Sequence, residues 1–104
     1  RTGHPRALKP LQISEPASLE LTEAVRWYEE RRHGWGAKLF ETVSQTFDLI
    51  ERFPESGERR RARARQLPVR GFPFLVVYRI RPHDVYVVAV AHAKRRPGYW
   101  LNRP

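Results

Sequence analysis

Two runs of β-branched and aromatic residues in the last third of the chain limit its possible folds more than any other feature. The runs extend from Leu75 to Ile80 and from Val85 to Ala91, and the short segment 81–84, which contains a proline, joins them. Strands that are apolar almost throughout are typical of positions buried on both faces of a sheet. The sequence therefore predicts a β-hairpin at the centre of a sheet.

Two amphipathic segments precede this hairpin. The first follows Ser14, whose side-chain oxygen can cap a helix, and keeps helical spacing to about Arg32. The second extends from Trp35 or Gly36 to Arg52 and also carries its apolar residues on one face. Because only a short loop separates the two segments, they predict an antiparallel helical hairpin whose apolar stripes face the same layer.

The remaining segments are shorter. Leu11 and Ile13 stand two apart, as on one face of a strand, and predict a short strand at residues 8–14. A proline within that segment favours the edge of the sheet. Residues 55–63 are polar and rich in arginine and predict a loop, and a further strand is expected around Leu67.

In chain order these segments give β-α-α-β-β-β, which is typical of an α+β fold. We expect a twisted, mostly antiparallel sheet of four strands with the helical hairpin on one face. Residues 92–104 are expected to form a short turn or a single helical turn. The 104 residues have room for one domain, which we place at residues 8–104. Residues 1–7 are expected to be a flexible N-terminal extension.

The charge is unevenly distributed along the chain. Lys and Arg number 20 against 11 Asp and Glu, for a net charge of +9, and 17 of the 20 are arginine. Residues 1–52 hold 8 of each sign, whereas residues 53–104 hold 12 basic and 3 acidic residues. Guanidinium groups suit phosphates and carboxylates. The second half is therefore expected to face a polyanion or an acidic protein, and charge alone does not distinguish RNA, DNA and protein.

The densest group of these arginines lies between the second helix and the central hairpin. It consists of Arg59, Arg60, Arg61, Arg63 and Arg65. Such a run is usually solvated surface, but in a chain whose first half is neutral it is the strongest candidate for a surface that follows phosphates. Arg96 and Trp100 are candidates for the same surface, because an aromatic ring beside arginine can stack on an unpaired base. Packing of the tail over the sheet explains Trp100 equally well.

The composition also argues against several kinds of site. The absence of cysteine excludes disulfides, cysteine nucleophiles and thiolate zinc sites. The 4 histidines never reach the spacing of a zinc-binding helix and no phosphate-binding glycine loop is present, so we expect no metal and no cofactor. No apolar run approaches the roughly 18 residues that span a bilayer, so we expect no membrane partner and a cytoplasmic location.

Two stretches near the end of the chain carry a recognisable pattern. Residues 70–79 read RGFPFLVVYR, and residues 90–100 read VAHAKRRPGYW. With the helical hairpin before them, they resemble the RelE/ParE toxin superfamily of bacterial type II toxin–antitoxin systems, over about residues 8–103. The ending is similar to the ParE, or plasmid-stabilization, branch. The resemblance implies a small toxin held inactive by a cognate antitoxin, and the charge of the chain predicts that this antitoxin is acidic.

The resemblance also implies candidate residues for the RelE-type reaction, in which a metal-independent ribonuclease directs a 2′-hydroxyl at the adjacent phosphate. Arg70 matches the family's strand arginine, and Arg95 and Tyr99 lie near its C-terminal basic and aromatic residues. His92 matches a histidine of some relatives and can serve as general acid. Each has a structural alternative: a solvated charge for Arg70, a hydrogen-bonded core histidine for His92, and tail packing for Tyr99.

Taken together, the residues and the resemblance predict a ParE-like toxin that inhibits growth by binding DNA gyrase through its helices and tail. A RelE-like mRNA endoribonuclease acting with the ribosome stays open as the alternative, because cationic side chains serve a phosphorane and an acidic protein equally well. A non-toxic RNA-binding module is the third possibility.

Overall fold

The computed structural model describes residues 9–104 as two helices packed on a five-stranded sheet. The elements are β1 (Leu11–Ile13), α1 (Glu15–Arg31), α2 (Trp35–Arg52), a 3-10 turn (Pro54–Ser56), β2 (Glu58–Arg59), β3 (Ala64–Pro68), β4 (Phe74–Ile80) and β5 (Val85–His92). The strand order across the sheet is β1-β5-β4-β3-β2. The extension expected at residues 1–7 lies outside the described residues.

The predicted central hairpin is confirmed. β4 and β5 pair antiparallel, and each has a further strand on its other side. The pairing changes register between Val77 and Tyr78, so that Val77 faces Ala89 and Tyr78 faces Val87. Val88 is thus the extra residue of a β-bulge, and the bulge changes which backbone groups of β5 point outward along the rest of the strand.

The predicted count of four strands is wrong, because the loop expected at residues 55–63 contains β2. This strand pairs with β3, Glu58 opposite Gln66, through its backbone, and no alternation of apolar residues marks it in the sequence. The sheet is also mixed. β1 lies at the edge, as expected, but runs parallel to β5, with Leu11 opposite Val85. The other three strand pairs are antiparallel.

The two helices form as predicted but are capped differently. Ser14 Oγ accepts a hydrogen bond from the Ala17 N–H at 3.2 Å, which is the expected cap of α1. α2 follows Gly34, which has a φ of 92° and no side chain to cap with. The Glu29 carboxylate of α1 takes that role and accepts from the N–H groups of Gly34 and Gly36. These hydrogen bonds lower the pKa of Glu29 below its ordinary value.

Layers of unequal thickness cover the two faces of the sheet. On the first, which we call the helix face, α1 and α2 contribute large apolar side chains that pack on β4 and β5. They include Leu21, Leu39, Val43, Phe47 and Ile50. On the second, which we call the tail face, residues 93–104 form successive turns over small side chains. Those beneath the tail are Ala64, Val77, Val88, Ala89 and Ala91. Turns in the tail were the sequence-based expectation.

Candidate functional site

The tail face brings together most of the predicted site residues. Trp100 is 6% exposed and belongs to the apolar cluster that the tail forms with the sheet. Alanines at positions 64, 89 and 91 leave room for the indole ring close to the strands. Trp100 therefore packs the tail onto the sheet, and its ring is not available to stack on a base.

A carboxylate of α1 holds the end of the tail. Glu20 Oε2 accepts from the Tyr99 hydroxyl at 2.6 Å and from Arg103 Nη2 at 2.9 Å. Glu20 Oε1 accepts from Arg103 Nη1 at 3.1 Å and from the Val90 N–H at 3.0 Å. We call Glu20, Tyr99 and Arg103 the tail latch. Because both carboxylate oxygens are used twice, the latch fixes the tail to α1 and β5 at once.

The tail latch also takes the place of a strand at the edge of the sheet. β1 pairs with β5 only as far as Val87. Beyond that point the Val90 N–H donates to Glu20, and the Val88 carbonyl accepts from Arg103 Nη1 at 3.0 Å. Side chains thus satisfy backbone groups that an open edge would expose to pairing with another chain.

Tyr99 is fully engaged in the latch. Its hydroxyl donates to Glu20, and two guanidinium groups lie over its ring, Arg95 at 3.9 Å and Arg103 at 5.0 Å from the ring centroid. Burial, and next the hydrogen bond to Glu20, raise the pKa of Tyr99 well above its ordinary value. A phenol whose proton is held this firmly is a poor general acid and a poor source of a phenolate base.

His92 is half-buried at the end of β5. Its ring stands edge-on to Phe74 with centroids 5.1 Å apart, and its Nδ1 accepts a hydrogen bond from the Lys94 N–H at 3.0 Å. In the neutral imidazole, that bond assigns the proton to Nε2. The histidine is therefore held in one tautomer, with Nε2 as a donor.

Two cavities meet at His92 and Arg95. The helix-side cavity, of about 480 Å³, lies between α1 and the end of β5 and is walled by Trp27, Tyr28 and Phe74, with Glu20 and Glu23 at its acidic side. The tail cavity, of about 140 Å³, lies between the sheet and the tail and is lined by Arg60, Gln66, Arg95, Arg96, Tyr99 and Trp100 among others. His92 and Arg95 line both cavities.

Arg70 lies apart from this group. It is exposed in the turn between β3 and β4, just before Gly71, whose φ is 83°. It lines neither the helix-side cavity nor the tail cavity. Of the four candidate catalytic residues, the structure thus brings together His92, Arg95 and Tyr99 and leaves Arg70 outside.

The arginine run forms a β-hairpin beside the tail. The side chains of Arg59, Arg60, Arg61 and Arg63 are exposed, and Arg65 is half-buried with Nη1 donating to the Glu55 and Gly57 carbonyls. A third space of about 410 Å³, the hairpin cavity, is lined by Arg59, Arg60, Arg63, Ala64, Arg65 and Ile80. Arg60 lines the tail cavity as well.

Sequence reasoning missed two members of this site, Glu20 and Arg103. In the sequence, Glu20 is one of several acidic residues off the apolar stripe of α1. Its partner Arg103 lies 83 residues further along the chain, so no local spacing connects them. The ion pair between Glu20 and Arg103 is found only once the packing of α1 against β5 is known.

Neither a metal site nor a membrane span is found in the part of the chain that the structure describes. No group of three or more His, Cys, Asp or Glu residues among residues 9–104 is arranged to hold a metal ion. Neither α1 nor α2 combines the length and the apolar character needed to cross a bilayer.

Comparison with known proteins identifies the family. A family model described as the ParE toxin of type II toxin–antitoxin system, parDE, matches residues 11–97. That match covers most of the chain, which therefore belongs to the ParE toxin family of type II toxin–antitoxin systems. The resemblance drawn from the sequence is confirmed, and it is the ParE branch that matches.

One solved structure is similar to the chain along most of its length. It is from the chromosomal ParDE TA system from P. aeruginosa, with 13% sequence identity and a TM-score of 0.75. The likeness covers 84% of this chain and 98% of that chain. At this identity the likeness establishes a shared fold. No curated protein matches the chain in a direct comparison.

Proposed function

We propose that this ParE-family chain is the toxin of a toxin–antitoxin pair and arrests growth in the bacterial cytoplasm by binding DNA gyrase, without catalysing a reaction itself. The observation that carries this choice is that both the hydroxyl and the ring of Tyr99 are engaged by neighbouring side chains. Its hydroxyl donates to Glu20 at 2.6 Å and its ring lies under Arg95, so this residue contributes to the architecture of the tail rather than to proton transfer. A protein whose function is binding requires no proton-transfer group.

The helices supply apolar surface for a protein partner. Six large hydrophobic side chains are 40% to 59% exposed, and all but one lie on α1, on α2 or directly after α2. They are Ile13, Leu19, Trp27, Phe40, Leu49 and Phe53. Exposed apolar groups of this size suit a protein interface better than a nucleic-acid one, because the latter is dominated by phosphate contacts.

The proposed antitoxin complements both properties of the toxin. It carries an acidic segment, which neutralises a chain of net charge +9, and apolar residues that cover part of the exposed helical surface. Electrostatic attraction weakens between low and physiological salt, whereas the apolar part of the affinity persists. Expression of the chain without this partner is therefore expected to be toxic to a bacterial host.

A ribosome-dependent endoribonuclease is the second candidate, and one observation favours it. His92 and Arg95 share the helix-side cavity with Glu23. In such a reaction the Glu23 carboxylate would accept the proton of the attacking 2′-hydroxyl, and His92, in its imidazolium form, would donate a proton from Nε2 to the leaving oxygen. Arg95 would stabilise the charge on the phosphorane. Arg70, the strand arginine implied by the resemblance, is not part of that arrangement.

Two reactions run side by side distinguish the candidates. In the first, purified toxin is titrated into gyrase supercoiling a relaxed plasmid. In the second, it is added to ribosomes translating a defined mRNA, and cleavage is mapped by primer extension. We expect inhibition of supercoiling and intact mRNA. Cleaved mRNA with normal supercoiling would reject the gyrase proposal in favour of the ribonuclease.

A further inference from the structure

We call β2, β3 and the turn between them the arginine hairpin. Its turn is held in a strained conformation. The Ala64 N–H donates to the Arg61 carbonyl at 3.1 Å, and the two residues between them, Ala62 and Arg63, have φ values of 57° and 60°. This is a type I′ turn, which normally takes Asn and Gly at those positions. A residue with a Cβ is disfavoured in the left-handed region, because its Cβ comes too close to the following carbonyl oxygen. Such strain persists only where the surrounding structure imposes it.

Arg79 of β4 imposes the conformation. Its Nε donates to the Ala62 carbonyl at 3.1 Å, and its Nη1 donates to the Arg103 carbonyl at 3.3 Å. Arg103 in turn belongs to the tail latch. These hydrogen bonds connect the backbone of the hairpin turn to the backbone at the end of the tail.

From the hairpin to the tail, a row of arginines lines two cavities that share Arg60. Arg59, Arg63 and Arg65 line the hairpin cavity, Arg95 and Arg96 line the tail cavity, and Arg60 lines both. Among the described residues no carboxylate lines either cavity. The acidic group nearest to a guanidinium of the row is Glu58, 4.0 Å from Arg60, and both of these side chains are largely exposed. Arg65 already donates to two backbone carbonyls and Arg95 lies over the ring of Tyr99. We call the other four arginines of the row the arginine track: Arg59, Arg60, Arg63 and Arg96.

A row of cations at intervals suits a polymer of anions better than a single ion. A nucleic-acid strand presents one phosphate charge per roughly 3.4 Å of duplex rise, so several phosphates can engage such a row together. An acidic protein would also be attracted, but the first half of the chain already provides the apolar surface that protein partners use. No large hydrophobic residue exposed on the described part of the chain lies in the track.

The aromatic side chains beside the track are already occupied. Trp100 is buried between the tail and the sheet, and the guanidinium groups of Arg95 and Arg103 lie over the ring of Tyr99. Proteins that bind single strands depend on exposed rings that stack on bases. The track therefore offers cations to phosphates and no free aromatic ring to stack on a base.

From this arrangement we propose that the arginine track binds the phosphodiester backbone of a double-stranded nucleic acid without reading its sequence. This surface consists of arginines of the hairpin and Arg96 of the tail, and it does not use the exposed apolar side chains of the helices.

The test compares two variants with the same change of charge. The track variant is Arg59→Gln, Arg60→Gln, Arg63→Gln. The control is Arg26→Gln, Arg32→Gln, Arg52→Gln, at exposed positions on α1, directly after α1 and on α2. Binding of both and of the wild type to a labelled 20-base-pair DNA duplex, an RNA duplex and a single strand is followed by fluorescence anisotropy from 50 to 200 mM salt. Thermal unfolding establishes that each variant is folded.

We expect the wild type to bind duplexes regardless of sequence and more tightly than the single strand. The track variant should bind at least about tenfold more weakly, and the slope of log K against log salt should fall by roughly 0.9 for each phosphate that the variant no longer neutralises. The control should bind like the wild type. Whichever duplex, DNA or RNA, binds more tightly is the nucleic acid that supplies the phosphates.

Three results would overturn the proposal: no binding to any duplex, equal weakening of both variants, or displacement of the duplex by polyglutamate as readily as by unlabelled DNA. The first two results would show that the track is not a specific binding site for nucleic acid. The third would show that the track binds an acidic protein instead. If the track variant fails to fold, the pair Arg60→Gln, Arg96→Gln at exposed positions of the track replaces it, with Arg26→Gln, Arg52→Gln as the control of equal charge and with the same expectations.

Discussion

The two faces of the sheet differ in the side chains that they bury and in the segments that cover them. The helix face buries large side chains from two long helices, and Leu39, Val43 and Ile50 are at most 1% exposed there. The tail face buries mainly alanine and valine beneath a tail without helix or strand. Apolar packing holds the helices, whereas the tail is held by one buried aromatic side chain, Trp100, together with the hydrogen bonds of Glu20 and Arg103.

This difference separates stability from binding. A thick apolar layer excludes water but offers few polar groups to a ligand, so its contribution is to the free energy of folding. A thin layer of turns can present arginine, histidine and lysine to solvent over a rigid sheet. The whole arginine run lies in the hairpin beside this layer, and Arg95 and Arg96 lie within the layer itself.

The largest effect is expected from the helix face. Leu39→Ala should lower the free energy of unfolding by about 2 to 5 kcal/mol, because it removes a buried side chain and leaves a cavity. Val77→Ala on the tail face should cost less, about 1 to 3 kcal/mol. Urea denaturation gives both values. A larger cost for Val77→Ala would contradict the division of roles between the faces.

The next effect tests what holds the tail. Glu20→Gln should cost about 1 to 3 kcal/mol, since the Arg103 guanidinium loses its charged partner. The tail should also become sensitive to protease, and the Val90 amide should exchange faster with solvent. The matched control is Glu23→Gln, an exposed position of the same helix, which should change stability by less than about 0.5 kcal/mol. If Glu20→Gln and Glu23→Gln change the free energy of unfolding and the protease sensitivity of the tail equally, Glu20 does not hold the tail.

A smaller effect concerns alkaline pH. Because the pKa of Tyr99 is raised above 10.0 in the folded protein, the native state keeps a proton that the unfolded chain releases. The stability from this group is fully present below pH 10 and decreases as the pH rises further. Tyr99→Phe should cost about 1 kcal/mol at pH 7 and should lose stability less steeply above pH 10. Thermal unfolding from pH 7 to pH 11 measures both, and parallel curves for the two proteins would refute the mechanism.

The smallest effect tests the strain in the arginine hairpin. Ala62→Asn should stabilise the protein by about 0.5 kcal/mol, because Asn adopts the left-handed conformation more readily than Ala. The substitution leaves all the arginines in place. If denaturation shows that the Ala62→Asn variant is less stable than the wild type, the turn is not strained in solution.

The sequence predicted the parts of the molecule that local pattern controls. The β4–β5 hairpin, the cap at Ser14 and both helices follow from the spacing of apolar residues and from one side-chain oxygen. β2 was missed, because its pairing with β3 is made by backbone groups of polar residues. The cap of α2 was missed as well, since the carboxylate that supplies it, Glu29, belongs to the preceding helix.

The candidate site was predicted in part. His92, Arg95 and Tyr99 do lie together, because they fall within one short stretch of chain at the end of β5 and after it. Arg70 does not join them, and a motif cannot indicate that its turn leads away from the cavity. The role of Tyr99 depends on Glu20 and could be read only from the packing of α1 against the sheet.

The most direct test of the central claim is a titration of gyrase supercoiling with the wild type, Arg95→Ala and a matched control, Arg81→Ala, in the turn at the other end of the β4–β5 hairpin. If the toxin acts as a binder through its tail, Arg95→Ala should raise the concentration for half-inhibition by about 5- to 150-fold, the equivalent of roughly 1 to 3 kcal/mol, while Arg81→Ala should act like the wild type. Supercoiling that no concentration of folded wild-type protein inhibits would contradict the account.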